Sequence, residues 1–172
     1  YIHVPFCRQA CHYCDFHFST SLKSMDEMVK AMVTELRLKA ERLESENVQT
    51  IYFGGGTPSL LVIEDLRFLI DEVYRNYNVV ENPEITIEAN PDDLTSRAQS
   101  RELFQEFKEI GINRLSIGIQ SFFEEDLKLM NRAHNASEAE SSIKRAQDFG
   151  FENLSIDLIY GSPTSNFQIW KE

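Results

Sequence analysis

The sequence predicts an α/β fold built on a parallel sheet, and three observations predict it. Short Ile-rich apolar runs recur along the 172 residues, separated by segments with helical periodicity. Several of the runs alternate little, as strands covered on both faces do. The polar and glycine-rich oddities of the sequence fall late in these runs or just after them, where parallel sheets gather their ligands. A doubly wound open sheet and a barrel or partial barrel both satisfy this pattern.

The first strand is IHVPF (2–6), and Cys7, Cys11 and Cys14 follow it. Met25, Met28, Val29, Met32, Val33, Leu36, Ala40 and Leu43 then keep an i, i+3, i+4 spacing, with Ser24 and Glu27 forming a capping box at its start. The second strand, TIYF (50–53), runs into GGGTP (54–58). Leu66, Leu69, Ile70, Val73 and Tyr77 mark the second helix, and EITIEA (84–89) the third strand, ending at Glu88, Asn90 and Pro91. Leu103, Phe104, Phe107 and Ile110 mark a helix closed by Gly111 as its C-cap. RLSIGI (114–119) is the fourth strand, ending at Gln120, and Ser121 with Glu124 opens a short helix. Ser137 with Glu140 opens another, closed by Gly150, before LSIDLIY (154–160), which carries Asp157. A further helix begins near Ser165. GINRLSIGIQ (111–120) and GFENLSIDLI (150–159) echo one another as successive helix-turn-strand corners. With no linker or low-complexity segment, residues 1–172 read as one domain.

The net charge of −11 disfavours a nucleic-acid surface, though it leaves room for one basic pocket that holds a small anion. No apolar run approaches a membrane span and nothing resembles a secretory signal, so no transmembrane segment is expected. Three closely spaced cysteines form no disulfide framework and suggest a reducing, cytoplasmic setting with a metal or redox role. The chain starts at Tyr1 and stops inside a starting helix, which reads as a piece of a longer protein.

C-x3-C-x2-C on a loop lets three thiolates face one centre. A closed zinc site needs a fourth ligand, for which His3, His12, Asp15 and His17 are near in sequence. A four-iron cluster held by three cysteines instead keeps one iron open to a small molecule. GGGTP is either a tight turn or a loop whose backbone approaches a ligand edge-on, and it matches neither phosphate-binding glycine pattern. Glu88 and Asp157 interrupt apolar strands, and a buried carboxylate there needs a local partner or a ligand ammonium or hydroxyl. Arg132, in MNRAHN, is a candidate fork for a ligand carboxylate or else an ordinary surface residue. His134 reads as a solvated or capping residue, with a ligand role as the alternative.

YIHVPFC-x3-C-x-YC, YFGGGTPSLL, IEANP, GINRLSIGIQSF, LMNRAH and IDLIYGSP, in that order, resemble the radical S-adenosylmethionine (SAM) superfamily. More narrowly they resemble the oxygen-independent coproporphyrinogen III oxidase-like family, from Tyr1 to about Pro163. The resemblance implies a partial (β/α) barrel, truncated here to about five strands, with a sixth strand and a C-terminal domain absent from the chain. It implies a [4Fe–4S] cluster on Cys7, Cys11 and Cys14 whose open iron is chelated by SAM, and reductive cleavage of SAM to a 5′-deoxyadenosyl radical. It further implies an adenine-side contact from Tyr13, a second SAM contact from Tyr1, and a methionine-amine loop of Gly55, Gly56 and Thr57. Glu88, Gln120, Arg132 and Asp157 are implied as further polar SAM contacts.

The family contains oxidases that decarboxylate porphyrinogen propionates and relatives that look like haem chaperones. The oxidases typically carry another cysteine where this chain has Phe16, and N-R-x-Q where it has NRAH with His134. Both departures point to the haem-chaperone branch. That branch implies a tetrapyrrole or haem as ligand, a haem-acceptor protein as partner and an unidentified electron donor. The oxidase reaction is the alternative.

Overall fold

The computed structural model describes residues 1–43, 46–95 and 99–164. Five strands, β1 (Ile2–Val4), β2 (Asn47–Gly55), β3 (Asn78–Ala89), β4 (Arg114–Gln120) and β5 (Asn153–Leu158), form one sheet in the order β1-β2-β3-β4-β5. Every pairing is parallel. A doubly wound sheet reverses its strand order partway, whereas this sheet winds in one direction throughout. The order therefore selects the open barrel from the two layouts the sequence allows.

The crossovers carry α1 (Met25–Lys39), α2 (Ile63–Asn76), α3 (Pro91–Thr95), α4 (Gln99–Glu109), α5 (Glu124–Leu129) and α6 (Ala136–Asp148). Their apolar stripes cover one face of the sheet. Val29, Met32 and Val33 of α1, Leu66, Leu69 and Ile70 of α2, and Phe104 and Phe107 of α4 are all buried in one core with Ile51, Phe53, Ile85, Ile87, Leu115 and Ile117. Each such fully buried side chain contributes about 1.5–3 kcal/mol relative to exposure.

The core strands alternate more than their composition suggests. On β2, β3 and β4 the odd-numbered residues face the helices, and Tyr52, Thr86, Glu88, Ser116 and Gln120 occupy the opposite face. β5 departs from the expected two-sided burial: Ile156 and Leu158 are 39% and 38% exposed. It pairs only with β4 among the described residues, and no described strand lies along its outer side.

The internal echo is a matched pair of corners. Gly111 and Gly150 take left-handed φ values of 91° and 76° after α4 and α6. Ile112 N–H then donates to Phe107 O at 2.9 Å, and Phe151 N–H to Ala146 O at 3.0 Å. The two L-S-I triplets lie side by side, with Leu115 opposite Leu154, Ser116 opposite Ser155 and Ile117 opposite Ile156.

Helix starts differ from the sequence expectation in three places. Ser24 makes no side-chain cap, because a 3-10 turn at Leu22–Ser24 leads directly into α1. The capping box of α6 is Asn135 with Glu138, two residues before the predicted pair. Ser121 does not cap α5; its hydroxyl accepts from Phe123 N–H at 3.1 Å and donates to Asp126 at 2.8 Å. β3 begins at Asn78, well before residue 84, because a register shift opposite Val48 and Thr50 absorbs Pro83. The side chain of Leu43 and the helix expected from Ser165 lie outside the described residues.

Candidate functional site

The C-terminal strand ends open onto a pocket of about 390 Å³. Its lining brings together Cys7, Cys11, Tyr13, Cys14, Gly55, Gly56, Thr57, Glu88, Gln120, Arg132 and Asp157. Every cluster or SAM candidate of the sequence is on this wall except Tyr1, while the rival zinc candidates His3, His12, Asp15 and His17, and His134, are not. The Tyr1 ring stacks on Tyr52 with centroids 5.8 Å apart, and its hydroxyl meets His3 Nδ1 at 3.1 Å. Tyr1 lines a separate groove of about 690 Å³ between β1 and α1, together with His17, Met28 and Met32.

The glycine loop is shaped by this chain's own backbone. Gly56 N–H donates to Val4 O at 2.8 Å and Thr57 N–H to Phe6 O at 2.7 Å, lacing the loop to the end of β1. A Cβ on Gly56 would lie 2.5 Å from Phe6 O, so only glycine passes there. Gly55 is left-handed at φ 115° with the His3 ring against it. Its N–H donates to Glu88 Oε2 at 3.0 Å, while Tyr52 donates its hydroxyl to Oε1 at 2.8 Å. Glu88 is thus held by two donors at the mouth of the sheet.

Arg132 is the hub of the opposite wall. Its Nη2 donates to Asn90 Oδ1 and to Gly118 O, both at 2.7 Å. Its Nη1 reaches Cys11 Sγ at 3.3 Å and the Tyr13 hydroxyl at 3.1 Å. Arg132 Nε is buried and has no hydrogen-bond partner among the described residues. Asn90 in turn donates to the Thr57 hydroxyl at 3.1 Å, joining Arg132 to the glycine loop. Burial pushes the Tyr13 phenol up to about 12 against the pull of Arg132, so Tyr13 stays protonated.

Two candidates sit differently from the sequence reading. Asp157 is exposed, with no described strand beyond β5, and it lines the pocket. His134 is buried at 4% exposure, not solvated; Nε2 meets Ile119 O at 3.0 Å and burial pulls its pKa down to about 4. Gln120 is a non-glycine residue at φ 68°, a strained conformation that ends β4 at the pocket.

The cysteines are free and half-buried. Among the described residues no three His, Cys, Asp or Glu side chains converge on a single ion position. The His12 ring, a zinc candidate in the sequence, turns its Nδ1 to Leu129 O at 3.0 Å. A four-iron cluster asks for something else: each cysteine takes a different iron, so the sulfurs must ring a cavity and not meet at a point. Three thiols on one pocket wall, beside a glycine loop, a carboxylate and an orphaned guanidinium donor, fit that demand.

Sequence reasoning missed Tyr52, which holds Glu88, Ser116, which lines the pocket, and Asn131, which donates to Ala10 O at 2.8 Å beside Cys11, and named Asn90 without giving it a role. Strand parity identifies the first two once the glycine loop is aligned with Glu88. Asn131 carries no local signal.

The sequence matches the Radical SAM superfamily over residues 1–172. It is 39% identical to a protein of Bacillus subtilis (strain 168) named heme chaperone HemW, over 95% of this chain and 42% of that protein. It is 37% identical to the heme chaperone HemW of Escherichia coli (strain K12), over 98% of this chain and 44% of the relative. Among solved structures, the coproporphyrinogen III oxidase HemN of Escherichia coli, a radical SAM enzyme, superposes with a TM-score of 0.86 at 27% identity, covering 99% of this chain and 38% of that one. The archaeal Elp3 of Methanocaldococcus infernus shares the fold, at a TM-score of 0.63 and 22% identity over 87% of this chain and 38% of that one. The chain spans less than half the length of the curated relatives it matches.

Proposed function

The chain belongs to the radical SAM superfamily, and we propose that its pocket holds a [4Fe–4S] cluster on Cys7, Cys11 and Cys14 with SAM beside it, in a haem-handling protein of the haem-chaperone kind. The observation that carries the cofactor reading is one cavity lined by the three thiols, the 55–57 loop, Glu88 and Arg132. When bound, the cluster supplies the electron for reductive cleavage of the SAM sulfonium. The chain's own residues bind and orient. Glu88, fixed by Tyr52 and Gly55, faces the SAM ammonium, and Gly55, Gly56 and Thr57 give backbone contacts to the same end. Arg132, whose four Nη hydrogens go to Asn90, Gly118, Cys11 and Tyr13, offers the SAM carboxylate the one donor left unpartnered among the described residues, Nε–H, and not a two-point fork. Tyr13 stacks on the adenine side, and Gln120 and Asp157 take the ribose side. Tyr1 acts indirectly, by stacking on Tyr52 behind Glu88.

Phe16 supports the chaperone branch over the oxidase branch: it is 74% exposed and lines the pocket where the oxidases typically carry a further cysteine. The oxidase reading draws on the likeness to coproporphyrinogen III oxidase. In the chaperone reading the ligand is haem, passed to an acceptor protein in a reducing, cytoplasmic compartment. Among the described residues no helix is long and apolar enough to cross a membrane.

Anaerobic reconstitution of the full chain tests the cofactor reading. About four irons per chain and 5′-deoxyadenosine formed on adding reductant and SAM support it. Cys11→Ser, with the helical circular dichroism retained, should abolish the iron. Haem transfer without porphyrinogen turnover supports the chaperone branch; decarboxylation of coproporphyrinogen sinks it.

A further inference from the structure

Residues 9–13, which carry Cys11, have no regular structure of their own, yet a segment more than a hundred residues away grips them. His12 N–H donates to Met130 O at 3.1 Å, and His12 Nδ1 meets Leu129 O at 3.0 Å. Gln9 Nε2 donates to Asn131 O at 2.7 Å, and Asn131 Nδ2 donates to Ala10 O at 2.8 Å. Arg132 adds its bonds to Cys11 and Tyr13. The turn Leu129–Arg132 therefore lies along the cysteine loop as a template.

Asn131 is its centre. It stands at φ 56°, a left-handed conformation that asparagine tolerates better than most residues. Its N–H closes the turn on Lys128 O at 3.1 Å, which leaves its carbonyl and its side-chain amide for Gln9 and Ala10. We propose that Asn131 is a positioning residue: it sets the shape of the cysteine loop before iron arrives, so the cluster enters a site already formed. The consequence for iron rests on the cluster reading above; the geometry does not. A loop shaped in advance loses less conformational freedom on taking up its ligand, and so takes it up from lower concentrations.

Two substitutions separate this role from mere turn-making. Asn131→Gly keeps the left-handed backbone and loses only the bond to Ala10 O. Asn131→Asp keeps size and backbone tolerance but turns an acceptor toward an acceptor. The full chain, metal-free and anaerobic, is followed by amide hydrogen exchange, with α6 as internal control. The amide of His12 should be protected in the unsubstituted protein. Asn131→Asp should speed exchange across residues 9–13 about tenfold or more, Asn131→Gly less, with α6 unchanged. Iron incorporated at limiting iron and sulfide should fall severalfold in the same order, while the visible spectrum of the cluster that does form stays the same. Wild-type exchange in both variants, or faster exchange with undiminished iron uptake, overturns the proposal. If the aspartate variant fails to fold, the glycine variant decides alone. A protected loop that takes up no iron in the unsubstituted protein sinks the cluster reading and leaves the template standing.

Discussion

Tyr52 donates its hydroxyl to Glu88 Oε1 at 2.8 Å across the β2–β3 pair, on the face of the sheet turned away from the helices. Burial, followed by the hydrogen bond to Glu88, pushes the Tyr52 phenol up to about 12, so this donor stays protonated throughout the working pH range. Glu88→Ala should lower SAM affinity by about 10- to 100-fold, the effect of losing one hydrogen bond to a charged group, and leave iron content unchanged. Tyr52→Phe should act in the same direction with a smaller effect. Titration of SAM into the reconstituted protein measures both, and equal loss of iron would make Glu88 a structural residue.

Arg132→Lys should behave differently from Glu88→Ala. One ammonium cannot span Asn90, Gly118 and the cysteine loop as the guanidinium does. SAM affinity should fall about tenfold or more, and iron content should fall with it, because the Cys11 and Tyr13 contacts go too. Iron content at the wild-type level in Arg132→Lys would separate the arginine from the loop.

Gly56→Ala should destabilise the protein by about 1–3 kcal/mol, the usual range for forcing an extra carbon into a packed position. The clash is with the Phe6 backbone at 2.5 Å, which no rotamer change relieves. The midpoint of urea unfolding reports it, and an unchanged midpoint would mean that the β1–β2 seam opens freely.

Acid should weaken the fold in two overlapping windows. The Glu72 carboxyl, buried at 1% exposure between Arg37 and Arg75, is held down at about 2 from an ordinary 4.5, chiefly by the Arg37 hydrogen bond. Its contribution is full above pH 4.5 and is lost as pH falls toward 2. His134, held down at about 4 from 6.5 by burial, resists protonation in the folded state, so stability also declines as pH falls from 6.5 to 4. Glu72→Gln should flatten the lower window of a stability-against-pH curve and leave the upper one in place. His134→Phe should do the reverse.

The architecture was legible because it depends on local patterns. All five strand runs and the Gly111 and Gly150 caps lie where period and punctuation put them. The site was legible for a related reason: in a parallel sheet, residues at strand ends share one mouth wherever they stand in the chain. What failed was whatever depends on a neighbour. Asp157 is exposed where no described strand pairs with the far side of β5, and His134 is buried where its Nε2 meets Ile119 O. The capping serines failed for smaller reasons: a 3-10 turn runs through Ser24 into α1, Asp126 takes the Ser121 hydroxyl, and Asn135 caps α6 in place of Ser137. Asn131 was invisible because its partners, Gln9 and Ala10, lie more than a hundred residues earlier.

That separation has a consequence for how the protein is made. Cys11 and Arg132 stand 121 residues apart in the chain. At a synthesis rate of about 5–20 residues per second, the cysteine loop leaves the ribosome roughly 6–25 seconds before the turn that shapes it. Throughout that interval the three thiols of the nascent chain lack the turn that grips their loop and stand open to oxidation and to stray metals. Iron delivery is then best timed to follow translation of the turn, and oxidant stress during synthesis should harm this protein more than the same stress after it is complete.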